Sequence, residues 1–484
     1  MPYNLVARIN AATIPITPLT KSGLTAWLKT ADRASAQWVQ ATGFTATPGE
    51  IAPIPAGDAG NRPGAKKGNA KTDSVTSGSI GRVLFGVSDK DHTSSGIWDY
   101  ATLANKLAKG RYTLESEFTP DEATRAALGW ALAQYRFDRY TKPKSRPTAE
   151  LVWPAGADRG DVARQADGIS LTRNLINTPA GDLGPAELAA EASALAKKHK
   201  ARCTVIVGDK LLSQNYPAIH AVGRASAHAP RLIDIRWGRA KDPRITLVGK
   251  GVTFDSGGLD IKPAAGMLMM KKDMGGAAQV LGLASMIMDA GLRVRLRVLV
   301  PAVENAISGN AFHPMDILPT RKGITVEVGN TDAEGRLILC DALAEADAEK
   351  PALIVDFATL TGAARVALGA ELPALFANDD AVASEYLSHG TTVADPLWRM
   401  PLWQPYNRML DSKTADVSST GSGGHGGAVT AALFLERFVS PDRPWMHIDL
   451  MAWNGSDRPG RPEGGEAMGI RALYGMLRTR YGSA

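Results

Sequence analysis

Cysteine is nearly absent. Two residues, Cys203 and Cys340, serve a chain of 484, which excludes a disulfide framework. Cys340 lies in the apolar stretch LILCDAL, where a buried free thiol is expected, and a reducing cytoplasm is the expected compartment. Long apolar runs are missing too: none reaches the roughly 20 residues that a membrane-spanning helix needs. The N-terminus, MPYNLVARINAATIPITPL, lacks the charged start and continuous apolar core of a signal peptide, so no membrane partner is expected. Histidine is sparse, eight residues with no HExxH pair, which argues against a zinc site built on imidazoles. Nor is there a large excess of charge. Fifty-five basic against 49 acidic residues leave +6, which is mild at this length. The densest basic run, KKHKAR (197–202), reads as the solvated end of the helix-like AELAAEASALA, so nucleic acid is not an expected partner.

What is present suits a globular protein: 44% hydrophobic and 21% charged residues, in a chain long enough to need more than one core. Its texture predicts an α/β protein of two domains. Residues 1–160 read as a smaller mixed α/β N-terminal domain, with a strand at IGRVLFGV (80–87), a helix over 120–137 and an exposed, mobile loop over 56–79. A break is expected near 153–161. Residues 161–484 read as a C-terminal α/β domain with a mostly parallel sheet flanked by helices. Apolar strands at 203–208, 231–237, 244–249, 295–302 and 352–360 are interspersed with helical segments at 185–198, 273–290 and 333–348. In such sheets ligands bind beyond the carboxyl ends of the strands.

Two segments carry chemistry at those ends. The first, RITLVGKGVTFDSGGLDIKPAAGMLMMKKDMGG (244–276), presents Lys250, Asp255, Lys262 and Asp273 just after a strand. Interleaved Val252, Phe254, Leu259 and Ile261 suggest a partly buried site rather than a solvated loop. The second, ITVEVGNTDAEGRLILCDALAEA (324–346), runs from a strand into a helix near Asp332, with Glu334 and Arg336 following. Taken alone, Asn330, Thr331 or Asp332 reads as a helix cap and the acids as partners of the helix dipole. Taken together, the segments bring four carboxylates, two lysines and an arginine to neighbouring strand ends. Carboxylates so crowded repel one another unless cations lie among them. Oxygen ligands suit hard or borderline ions such as Mg, Mn and Zn. Two such ions roughly 3.5–4 Å apart would form a clamp that activates water and polarises a carbonyl. Two decoys are set aside. FDSGG (254–258) looks like a serine-protease motif, but Ser256 reads as a turn residue. GSGGHG (421–426) fits a dinucleotide pattern without the strand that should precede it, and His425 reads as structural or solvent-facing.

NTDAEGRL (330–337) resembles the signature of the leucine aminopeptidase, or cytosol aminopeptidase, family. VGKGVTFDSGGLDIKP, MKKDMGGAA, NLINTPAGDLGPAELA, VDFATLTGA and ADVSSTGSGGHGGAVTAALFLERFV resemble the same family in the same order over about 165–450. The first third shows no clear match. The stretch at 447–473 begins and ends as in the family but differs within, where the family shapes its first side-chain pocket.

The resemblance implies a metal-dependent aminopeptidase, with 161–484 as a dinuclear-metal peptidase domain. A metal-bridging water would attack the first peptide carbonyl of a peptide with a free N-terminus. Asp255 and Glu334 would bridge two divalent cations, Mn or Zn, with Mg or Co as alternatives. Asp332 would complete one site, and Lys250 and Asp273 the other. Lys262 would polarise the carbonyl, and Arg336 would hold bicarbonate as general base. Met270, Thr359, Leu360 and Gly362 would line the substrate cleft. A homohexamer is implied as well. A DNA-binding regulator of the same family and a narrow dipeptidase are the alternatives.

Overall fold

The computed structural model describes residues 2–56, 80–89, 96–142 and 149–482. The chain forms two compact units, residues 1–166 with 457–462, and residues 167–456 with 463–484. From residue 57 onward, the loop expected over 56–79 lies outside the described residues.

The first unit is built on six strands. Their order is Leu5–Val6, Ala149–Val152, Gly110–Leu114, Thr13–Leu19, Ile80–Gly86 and Ile51–Pro55. All pairs are parallel except the last. The strand expected at 80–87 is the fifth of these. The helix expected over 120–137 runs Pro120–Ala133. Its start is encoded locally: the Thr119 hydroxyl accepts from Glu122 N, the Glu122 carboxylate reaches back to Thr119 N, and Pro120 fills the first turn, where its missing N–H costs nothing. Ala126, Ala127 and Trp130 are fully buried.

The second unit carries a nine-stranded sheet. Its strands are β1 (Arg202–Val207), β2 (Arg231–Trp237), β3 (Arg244–Gly249), β4 (Gly251–Asp255), β5 (Arg295–Asn305), β6 (Leu353–Ala358), β7 (Ala374–Ala377), β8 (Trp398–Arg399) and β9 (Trp445–Asp449). The order is β8-β7-β9-β6-β3-β5-β2-β1, with β4 also on β5. The centre, β9-β6-β3-β5, is parallel, while β7, β2 and β1 join antiparallel. Its helices include α1 (Pro185–Lys198), α2 (Gly275–Asp289), α3 (Glu334–Ala348), α4 (Gly362–Leu368), α5 (Gly427–Glu436) and α6 (Ile470–Tyr481). One face of the sheet packs on α3 and α5, around Val248, Leu299, Ile354 and Phe376. The alternate residues pack toward α2 and α6. Central strands with both faces covered have to be apolar throughout, and β6 is buried at every position. Among the described residues no helix is long and apolar enough to cross a membrane.

Asp341, on α3, is fully buried and accepts from the backbone N–H groups of Ala218, Ile219 and Arg321 at 2.9, 3.2 and 2.8 Å. Burial pushes its carboxyl up to about 7 despite these donors. An unpaired buried donor costs on the order of 1–3 kcal/mol. Asp341→Ala should therefore lower stability by about 3 kcal/mol or more in denaturant unfolding, and Asp341→Asn, which keeps one acceptor, by less. An unchanged midpoint in both variants would contradict this role.

Candidate metal centre

The central strands end at one place, and their ends supply the charged groups. β3 and β4 are one strand line interrupted at Lys250, whose N–H turns away to Phe357 O at 3.0 Å. Between Val252 and Asp255 the pairing with β5 slips, which re-aims Asp255 at the strand end. Asp273 lies on the 3-10 turn Met270–Met274 that leads into α2, and Glu334 is the first residue of α3. A carboxylate suits the positive end of a helix.

Asp255, Asp273 and Glu334 are buried, at 2%, 3% and 1% exposure, and each offers an oxygen within 4.8 Å of the others. Lys250 Nζ sits 2.8 Å from Asp273 Oδ2 and 2.9 Å from Glu334 Oε1, and donates to Thr359 O at 3.1 Å. Gly335 makes room for it: a methyl there would stand 2.6 Å from Lys250 Cε and 2.7 Å from Nζ. Lys262 is half-buried and joins Asp255 Oδ2, at 2.9 Å, to the Asp332 carboxylate.

The electrostatics follow from this crowding. Burial, followed by the Glu334 and Asp273 charges, raises the Asp255 carboxyl well above the usual range. Burial also raises Glu334, with Asp273 adding to it against the pull of Lys250. At Asp273 burial pushes upward, but Lys250 and Lys272 outweigh it and the net shift is down. Burial disfavours the Lys250 ammonium, yet Asp273, Glu334 and Asp255 hold its pKa above the ordinary lysine value.

These residues fit a divalent cation. Four carboxylates face the ammonium groups of Lys250 and Lys262, with Lys272 acting on Asp273 from beyond ion-pair distance, and negative charge stays in formal surplus. Asp273 Oδ2 and Glu334 Oε1 are buried and receive no hydrogen bond of good geometry, having the Lys250 charge beside them instead. Cations relieve both conditions.

A model of the cytosol aminopeptidase family catalytic domain matches residues 170–474, and one of the M17 aminopeptidase N-terminal domain matches 14–154. The chain belongs to the cytosol aminopeptidase family. It is 40% identical over 427 residues to a probable cytosol aminopeptidase of Sinorhizobium fredii, covering 83% of this chain and 85% of the relative. The corresponding protein of Syntrophotalea carbinolica is 42% identical over 366 residues, 72% and 73% of the two chains. The crystal structure of the cytosol aminopeptidase from Coxiella burnetii superposes with a TM-score of 0.90 at 46% identity, over 99% of both chains. The bottromycin maturation enzyme BotP in complex with Mn superposes with 0.83 at 30% identity, over 97% of this chain and all of that one. The match at 14–154 places the first third, which shows no clear match by motif, in the same family.

Within this cytosol aminopeptidase fold the expected site residues divide. Lys250, Asp255, Asp273 and Glu334 converge. Asp332 is one-third exposed, lies outside the close group of three carboxylates and faces Lys262. Arg336 is buried, donates from Nη1 to Ser419 O at 2.6 Å, and leaves its buried Nε without a hydrogen bond. Burial brings its pKa down to about 10. Met270 and Thr359 are buried, Leu360 is half-buried, and Gly362 is exposed at the start of α4. Of the apolar residues taken as signs of burial, Val252 is buried and Phe254 half-buried, whereas Leu259 and Ile261 are 36% and 58% exposed. Asn330 caps the 3-10 turn that precedes α3, accepting from Asp332 N at 2.7 Å. Ser256 is a turn residue bonded to Asn305 O, and His425 is exposed.

One supporting residue, Asn305, and the supporting roles of Thr331 and Thr359 escaped the sequence reading. Asn305, at the end of β5, donates to Asp255 Oδ1 at 2.8 Å and to Thr331 O at 3.1 Å, tying the two segments together. Thr331 closes the same seam: its Oγ1 donates to Gly257 O and accepts from Asp260 N, and its N–H donates to Asp260. Thr359 donates to Asp273 Oδ1 at 2.7 Å, so it orients a carboxylate. Removing such an orienting partner typically weakens metal binding 10- to 100-fold. Calorimetric titration of Mn should show Asn305→Ala weaker by about that factor; wild-type affinity would mean that Asp255 needs no help.

Proposed function

We propose that the chain is a metal-dependent aminopeptidase that releases N-terminal amino acids from peptides by attack of water on the first peptide carbonyl. The observation that carries this reading is the buried convergence of Asp255, Asp273 and Glu334 around Lys250 at the ends of parallel strands.

In this proposal Asp255, Glu334, Asp332, Asp273 and Lys250 would hold two divalent cations, with Asp255 and Glu334 serving both, Asp332 one, and Asp273 with Lys250 the other. Mn and Zn suit the donors best, and Mg or Co are alternatives. When bound, the cations supply Lewis acidity that activates a water, polarises the carbonyl and favours a substrate with a free amine. Lys250 has to serve as a neutral amine, a change that nearby cations favour. Lys262 stays protonated and donates to the developing oxyanion. The free Nε of Arg336 and its planar fork suit an anion such as bicarbonate, which takes the proton of the attacking water. Met270, Thr359, Leu360 and Gly362 border the bound N-terminal residue. Assembly as a homohexamer in the cytoplasm completes the proposal and rests on the family resemblance.

Exhaustive chelation should abolish hydrolysis of aminoacyl anilides, and added Mn or Zn should restore it. Full activity in verified metal-free protein would falsify the mechanism. Asp255→Ala and Glu334→Ala should lose metal together with activity. Lys262→Ala should retain metal and lose about 10²–10³ in kcat, the usual penalty for one oxyanion donor. Metal stoichiometry measured beside kcat decides: metal loss in Lys262→Ala would overturn its role. Light scattering that gave a monomer at working concentration would end the hexamer proposal.

A further inference from the structure

Beyond the carboxylates, the ends of β6 and β9 hold a cation that the proposed mechanism does not use. After β6 the chain runs through Thr359, Leu360 and Thr361 into α4, and this turn is fixed by Asp449 at the end of β9. Asp449 Oδ1 accepts from Leu360 N at 2.9 Å and Thr361 N at 3.1 Å, and Oδ2 from the Thr361 hydroxyl at 2.6 Å. Asp449 is thus fully engaged by the turn.

Arg365, one turn into α4, lies over the same place. Its Nη2 would be 3.4 Å from a methyl on Gly362, and Nη1 reaches the Met451 sulfur at 3.5 Å. A thioether is a weak acceptor. Among the described residues no carboxylate pairs with Arg365, although it is half-buried. Elsewhere in the second unit Arg236, Arg297 and Arg321 lie against carboxylates, and Arg224, Arg336 and Arg437 donate to main-chain carbonyl oxygens, whereas the one side-chain hydrogen bond of Arg365 among the described residues goes to the Met451 sulfur. Lys272, buried at 1% exposure and next in sequence to Asp273, is close enough for the charge of Arg365 to act on it. A five-donor guanidinium left with a sulfur, beside Gly362 and above a turn whose own carboxylate is used up, is the arrangement that receives an anion. Met451 also lies in the stretch where this sequence departs from its family's pattern.

We propose that Arg365 is a specificity-determining residue that selects peptides with an acidic N-terminal residue, glutamyl or aspartyl, by donating from its guanidinium to that side-chain carboxylate. This rests on the aminopeptidase reading and adds the substrate class. The selectivity belongs to the first side chain: Gly362, which the proposed function sets beside the bound N-terminal residue, lies next to the Arg365 guanidinium, and in that reading the free amine is held at the carboxylate cluster.

The test uses the full chain loaded with Mn and compares glutamyl, glutaminyl and leucyl anilides, which carry no C-terminal carboxylate. The wild type should favour glutamyl over glutaminyl in kcat/KM by about 10- to 100-fold, the range of a charge-assisted hydrogen bond. Arg365→Gln should bring that ratio to near one, and Arg365→Lys should keep part of it. The ratio is insensitive to a general loss of folded or metal-loaded protein, and circular dichroism checks the fold. Calorimetric titration with free glutamate and glutamine should show the same preference and the same loss. A wild-type ratio near one, or a ratio that Arg365→Gln leaves unchanged, overturns the proposal. So does a change in Arg365→Gln of the Leu-Gly to Leu-Gly-amide ratio in place of the glutamyl ratio, which would assign the arginine to the leaving group's carboxylate. Absence of hydrolysis on every anilide, with metal bound, would instead sink the aminopeptidase reading beneath it.

Discussion

Burying Asp255, Asp273 and Glu334 side by side costs free energy that has to be recovered at the same spot. Like charges in a dry site repel and resist desolvation together, so each needs a counter-charge or a proton. The protein meets this with Lys250 at the centre, Lys262 at the rim and a ring of neutral donors. Much of the surrounding architecture follows from that arrangement. The parallel strands stop at a common level because their ends have to deliver ligands. β3 breaks at Lys250, and β5 ends in the amide that holds Asp255.

The same demand accounts for where the turns are tight. Thr331 and Asp260 grip each other across two loops that are 71 residues apart in sequence. Gly257 sits between them at φ +90°, and a methyl there would be 2.4 Å from Asp260 O. A seam of this kind keeps Asp255 and Glu334 from drifting apart, which mutual repulsion would otherwise favour.

How much of this was legible in the sequence depends on the scale of the pattern. Apolar runs such as ALIVDFATL mark β6 because a doubly covered strand must be apolar along its whole length. Lys250, Asp255, Asp273 and Glu334 were legible because turn residues put charge directly after such runs. The α3 start was legible as a helix, but sequence alone left a cap among three residues; Asn330 caps the 3-10 turn before it, and α3 itself starts after Ala333 with no side-chain cap. Asn305 was invisible: an amide at the end of an apolar strand gives no periodic signal, and its role exists only through contacts 26 and 50 residues away in sequence. Leu259 and Ile261 misled for the opposite reason. Interleaved apolar residues were read as a sign of burial, whereas the loop's hold on the site comes from hydrogen bonds, which leaves those side chains in water. That residues 457–462 belong to the first unit is not read from the sequence: the Pro- and Gly-rich DRPGRP marks a loop but not the unit it joins.

The missing side chain at Gly335 has a consequence for what Lys250 is able to do. Most lysines sweep a wide cone, and a change of charge sends the amine elsewhere. Here the stem passes so close to the α3 backbone that its path is set by main chain, and its tip is anchored on a main-chain oxygen, Thr359 O. Gaining or giving up a proton therefore alters the charge of the site while leaving its outline intact. The residue behaves as an adjustable charge on a fixed mount, and the freedom it lacks was surrendered when the chain folded.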